Sequence, residues 1–126
     1  ANGVASFHFG NSHGSVSTIG RSLADFIQRE VVARTGLRDC RTHGRTWDLL
    51  RLTRMPTVQV DVGYITSIND SAMLAAREAR DAIAEGILAA VKRLYLLGKN
   101  DRPTGTFTFA ELLAHEQSVD HGRPAV

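Results

Sequence analysis

The sequence predicts an α/β domain, a three-layer sandwich in which a mostly parallel sheet is flanked by helices. Two apolar segments of strand character, residues 4–9 and 57–65, are separated by stretches whose apolar residues recur at helical spacing. Glycine and proline punctuate the boundaries between them. With 126 residues and 43% hydrophobic content, the chain is one small domain or part of a larger one. A chain of this size buries roughly two-thirds of its unfolded surface.

Residues 4–9 form a short buried strand, followed by a Gly/Ser/His loop over residues 10–15. Ser17 or Thr18 caps a helix with Ile19, Leu23, Phe26, Ile27 and Val31 at helical spacing, and Gly36 stops it. Residues 37–54 predict a loop and a short strand around residues 49–52. Pro56 opens the central strand, since proline begins a strand but cannot continue its ladder. Asp70 or Ser71 starts the next helical region. Ile83, Ile87, Val91 and Leu94 then form the apolar face of a long helix running to about Leu97, with Gly98 as its cap. The domain-like part is therefore residues 1–97, and residues 98–126 form a tail. Within the tail, residues 99–106 are polar, broken by Pro103 and Gly105, and read as an exposed linker. Thr108 to Glu111 match a capping box that leads into a short helix over 109–115. The last ten residues are expected to be disordered.

Net charge is only +2, but it is uneven. Arg34, Arg38, Arg41, Arg45, Arg51 and Arg54 face only Asp39 and Asp48 between residues 34 and 54. The stretch reads either as a solvated connection or as a surface for a phosphorylated or acidic partner, the chain's own tail included. With no interleaved aromatic except Trp47, it does not read as a nucleic-acid surface. Cys40 is alone, so no intrachain disulfide forms. No apolar run reaches the roughly 18 residues a membrane span requires. Ala1-Asn2-Gly3 is not a signal peptide, and strand material follows at once, so the chain is expected to begin inside a domain.

The central strand carries the chemistry. Val58, Val60 and Val62 share one face, which leaves Asp61 on the other. A carboxylate is disfavoured in a strand and costly to bury unless it finds partners. The strand at 4–9 ends near His8, so a histidine and a carboxylate on two strands offer the raw material of a metal or acid/base site. His13, His43, His115 and His121 read as loop residues. Thr104, Thr106 and Thr108 alternate with Gly105 and Phe107. They form either an extended linker or a phosphorylation segment, and composition leaves both readings open.

Ser6-Phe7-His8-Phe9-Gly10-Asn11 resembles the Ser-x-His motif of the zinc-dependent N-acetylmuramoyl-L-alanine amidases of type 3. Leu50-Arg51 and Met55-Pro56-Thr57-Val58 look like that family's lead-in. Asp61-Val62-Gly63-Tyr64 stands where its Glu-x-Gly-Phe motif would be, and residues 81–87 are similar to its closing helix. The likeness covers about residues 1–97, a partial amidase domain. Including its tail, the chain looks still more like a cytoplasmic mycobacterial branch of the family. The resemblance implies a mostly parallel sheet between helices and hydrolysis of the amide between muramic acid and L-alanine. It implies zinc held by two histidines and a glutamate, with water as the nucleophile and a carboxylate as general base. By position His8 matches the later zinc histidine, occupied or vestigial, and Asp61 the catalytic glutamate. The earlier histidine and glutamate ligands would lie upstream of Ala1.

Four departures bear on activity. Asp61 is one methylene shorter than glutamate, which withdraws its carboxylate by roughly 1–1.5 Å, and a misplacement of that size costs about a hundredfold in rate. Phe9 and Gly10 replace a small residue and an asparagine, and Ser67 and Ile68 stand where Asn-Pro is usual. The threonine-rich tail exceeds what an amidase needs. Two expectations follow from the resemblance. One is a degenerate amidase fold reused in the cytoplasm as a regulator of peptidoglycan precursor synthesis. It would activate the enolpyruvyl transferase MurA once a serine/threonine kinase phosphorylates the tail, with Thr104 the lead site and Thr106 and Thr108 behind it. The alternative is an active zinc amidase that cleaves peptidoglycan at the cell wall.

Overall fold

A computed structural model describes residues 1–11, 13–53, 55–95 and 103–114. The α/β reading holds: a small sheet is flanked by helices. Strand β1 (Val4–Phe9) is central, with β2 (Asp39–Arg45) parallel on one side and β3 (Gln59–Asp61) antiparallel on the other. One of the two pairings is thus parallel, and the sheet is mixed. Helix α1 (Thr18–Thr35) makes the crossover from β1 to β2, as a parallel pair requires.

Helix α1 forms as its sequence dictates. The Ser17 hydroxyl oxygen accepts from Gly20 N at 3.1 Å, and Gly36 ends the helix at φ +70° with its N–H donating to Val32 O. Ile27 and Val31 enter a core with Val4, Leu37, Ile83 and Ala90, against which Val58, Val60 and Val62 pack. The valines therefore face the helices. Helix α3 (Ile68–Ala75) and helix α4 (Arg77–Tyr95) complete this layer. At Gly86 a side chain would meet Val31 and the Glu30 backbone at 3.1–3.2 Å, so α4 crosses α1 at close range. Buried Gln28 ties three elements together: its amide donates to Val4 O and Asp39 Oδ1, each at 2.7 Å, and its oxygen accepts from the Ser6 hydroxyl at 3.0 Å.

Several boundaries differ from expectation. Residues 39–45 are a strand, not a loop, and His43 lies in it. Residues 49–52 are not a strand: α2 (Asp48–Arg51) is a single helical turn that buries Leu50. Strand β3 is limited to three residues, shorter than 57–65. Helix α3 begins at Ile68 under a Ser67 cap, earlier than Asp70. Asp70 is instead a buried staple whose Oδ2 accepts from Gly3 N at 2.8 Å and Tyr64 N at 3.1 Å. Leu97, Gly98, His115, His121, Arg54 and the last ten residues lie outside the described residues.

Candidate functional site

Two constellations stand out, one at the end of β1 and one where the tail meets α1 and α4. In β1 the alternation puts Val4, Ser6 and His8 on the helix-facing side and Ala5, Phe7 and Phe9 on the other. His8 is 7% exposed and lines an open cleft of about 670 Å³ with Gly10, Asn11, Arg21 and Gly44 among its neighbours. Its Nδ1 lies 3.0 Å from Phe9 O. A carbonyl only accepts, so Nδ1 carries the proton and the Nε2 lone pair is left for a proton or a cation. Gly10 and Gly44 meet beside this ring. A Cβ on Gly10 or on Gly44 would sit 3.3 Å from the other's Cα and 3.5–3.6 Å from His8 Cε1. The 3.3 Å approach is tight for a Cβ, so glycine at both positions eases the close meeting of the two strand ends beside the imidazole.

Asp61 is not part of this site. It pairs across the sheet with Ala5 and accepts from Gln59 Nε2 at 3.1 Å, on the face opposite His8. It is also offset from His8 by three residues along β1, roughly 10 Å at strand rise. The pairing of histidine and carboxylate expected from two strands is therefore corrected by the register. Among the described residues, no three histidines, cysteines or carboxylates could hold a metal ion. His8 is at most one ligand of a larger set. Asp61→Glu extends the carboxylate by one bond, roughly 1.5 Å, which cannot bring it round the sheet to His8. Muropeptide release by the full-length protein should stay within about twofold of wild type, whereas a rise of roughly tenfold would show that reach is the defect.

The second constellation centres on Glu30, whose side chain is 1% exposed. It pairs with Arg34 one turn on, and with Arg93 of α4 at 2.5 Å. Arg34 also reaches Glu85 at 3.0 Å. Burial raises the Glu30 pKa, but hydrogen bonds from Arg34, the Gly105 N–H and Arg93 outweigh it and hold the carboxyl below its ordinary 4.5. The group grips the tail by its backbone. Gly105 N donates to Glu30 at 2.9 Å, Arg34 to Phe107 O at 2.6 Å and Arg93 to Pro103 O at 2.9 Å, while Phe109 N donates to Glu85 at 3.1 Å. Phe107 and Leu112 are buried with Ala89, and the Arg93 guanidinium lies 4.9 Å from the Phe107 ring centre.

Residues 103–106 are thus exposed at their side chains, as a linker would be, yet fixed at their backbone. The Thr108 hydroxyl accepts from Glu111 N at 3.2 Å and caps the short helix over 109–114. Thr104, Thr106 and Thr108 are all exposed. Among the described residues, three arginines of 34–54 have separate engagements. Arg34 is buried in the clamp, Arg51 bridges to Asp48, and Arg45 stacks over Phe7 and Trp47. Sequence reading missed Glu30 and Arg93. A signal existed for Glu30: with Arg34 it continues the stripe of Leu23 and Ile27 at helical spacing, placing a charged pair on the apolar side.

The sequence matches the family described as N-acetylmuramoyl-L-alanine amidase over residues 1–93. The chain belongs to this family. It is 88% identical over 120 residues to N-acetylmuramoyl-L-alanine amidase CwlM of Mycobacterium tuberculosis, which covers 95% of this chain and 30% of that protein. The fold is similar to an N-acetylmuramoyl-L-alanine amidase of Clostridium difficile, with a TM-score of 0.67 and 24% identity over 79% of this chain and 51% of that one. It is also similar to amidase AmiC2 of Nostoc punctiforme, with a TM-score of 0.63 and 25% identity over 75% and 48% of the two chains. The chain spans under a third of its curated relative and about half of these amidase chains. Among the described residues no helix is long and apolar enough to cross a membrane.

Proposed function

We propose that this member of the amidase family serves as a cytoplasmic regulator of peptidoglycan precursor synthesis, activating the enolpyruvyl transferase MurA when a serine/threonine kinase phosphorylates its tail. The observation that carries the reading is the position of Asp61. The residue at the catalytic glutamate's place is shorter and lies on the sheet face away from His8, an arrangement poorly suited to hydrolysis. The tail supports the second half. Thr104, Thr106 and Thr108 are exposed to a kinase; the Thr106 hydroxyl donates to Pro103 O and the Thr108 hydroxyl caps the short helix, which suits Thr104 as the lead site.

Hydrolysis of the muramoyl–L-alanine amide at the cell wall is the second reading. The His8 ring favours it, since the hydrogen bond at Nδ1 leaves Nε2 disposed as in a metal-bound imidazole. Zinc content and muropeptide release measured on the full-length protein separate the two. Stoichiometric zinc with robust turnover would sink the regulatory reading. For the tail, Thr104→Ala is expected to abolish MurA activation while leaving the circular dichroism and melting temperature unchanged. Full activation by that variant would remove Thr104 as the lead site.

A further inference from the structure

The contacts of residues 103–114 are those of a ligand more than of a core element. Two side chains, Phe107 and Leu112, are buried, and they form a cluster with Ala89 and Leu88 that is separate from the main core. The segment is also held at backbone atoms of Pro103, Gly105, Phe107 and Phe109, and Arg93 lies over the Phe107 ring. The receiving groups are matched before the segment arrives. Glu30 and Glu85 carry two negative charges, Arg34 and Arg93 two positive ones, and they are bridged to one another. Withdrawing the segment would therefore strand no unpaired buried charge, which is the usual reason such a surface cannot open.

We propose that the α1–α4 face is a peptide-reading groove and that residues 103–114 are its detachable internal ligand. The groove reads an extended stretch with a glycine whose N–H meets Glu30, an aromatic two residues later, and a leucine one helical turn beyond a Thr cap. Two sockets and a backbone clamp are the elements by which extended segments are generally recognised. Tethering keeps the groove filled in the resting chain, because a short linker gives the segment a high effective concentration.

The test uses the whole chain with Phe107→Ala and Leu112→Ala, which empties both sockets, and a fluorescent peptide of residues 103–114 added in trans. The vacated chain is expected to stay folded by circular dichroism and to bind the peptide. The intact chain should bind it at least tenfold more weakly, since its own tail competes. A peptide carrying Phe107→Ala should likewise lose about tenfold. Equal affinity for intact and vacated chains, or no binding to a folded vacated chain, would overturn the proposal. Unfolding of the vacated chain would do so as well, by making the segment part of the core.

Discussion

Gly3→Ala is expected to lower stability by about 3–5 kcal/mol, a fall in melting temperature of roughly 10–20 °C for a domain of this size. Gly3 sits at φ +101°, where an L side chain is strained. A Cβ there would lie 2.5 Å from Arg38 O and 2.7 Å from Cys40 Sγ, so backbone would have to move. The movement would fall on the point where the chain enters the sheet: Val4 N donates to Arg38 O, and Gly3 N to buried Asp70. Two hydrogen bonds linking β1 to β2 and to α3 would be weakened together. Gly14→Ala is the control. Its φ is +87°, but nothing lies within 4 Å of the added carbon, so only the conformational strain remains, about 1 kcal/mol. Thermal unfolding of both variants separates the two effects, and equal losses would refute the close-approach account.

How much of this was legible beforehand depends on where the stabilising contacts come from. Helix α1 was legible because its signals are local: a capping serine, apolar residues at helical spacing and a terminal glycine. Strand β2 was not, because Asp-Cys-Arg-Thr-His-Gly-Arg has neither apolar alternation nor β-branched density. It is a strand because β1 offers it a parallel partner and Gln28 holds Asp39, and both are tertiary facts. Strand period assigned the valines correctly to the core side. The same period could not say whether Asp61 and His8 share a face, since that is decided by register. Pairing of Asp61 with Ala5 makes them opposite, and a slip of one residue would have reversed it. The tail shows the converse limit. Its composition is that of a linker, and tertiary contacts turn it into a docked segment: Phe107 and Leu112 meet Ala89, and Glu30, Arg34, Glu85 and Arg93 hold its backbone.

Glu30→Ala should cost about 3–5 kcal/mol, the usual range for removing one partner from a buried ion pair. It removes the acceptor for both Arg34 and Arg93, whose side chains are only 5% and 10% exposed. Arg34 retains Glu85, but Arg93 loses its carboxylate partner among these four charges. Glu30→Gln is milder and more diagnostic, because it keeps the shape and an acceptor while removing the charge. In the wild type the folded carboxyl lies below the ordinary glutamate value of 4.5. Its contribution is therefore fully present above about pH 4.5 and is lost as pH falls through the lower, folded value. The groups facing it are Arg34, Arg93 and the Gly105 amide, with Glu85 bridged through Arg34, so protonation loosens both the α1–α4 crossing and the tail. Hydrogen exchange at the Gly105 and Phe109 amides reads this directly. After correction for intrinsic exchange, protection should be constant near neutrality and decline below about pH 4.5 in the wild type. In Glu30→Gln it should be lower throughout and lack that decline. A decline of the same size in the variant would assign the acid sensitivity to another carboxylate, with Glu85, which accepts from Phe109 N, the first to replace.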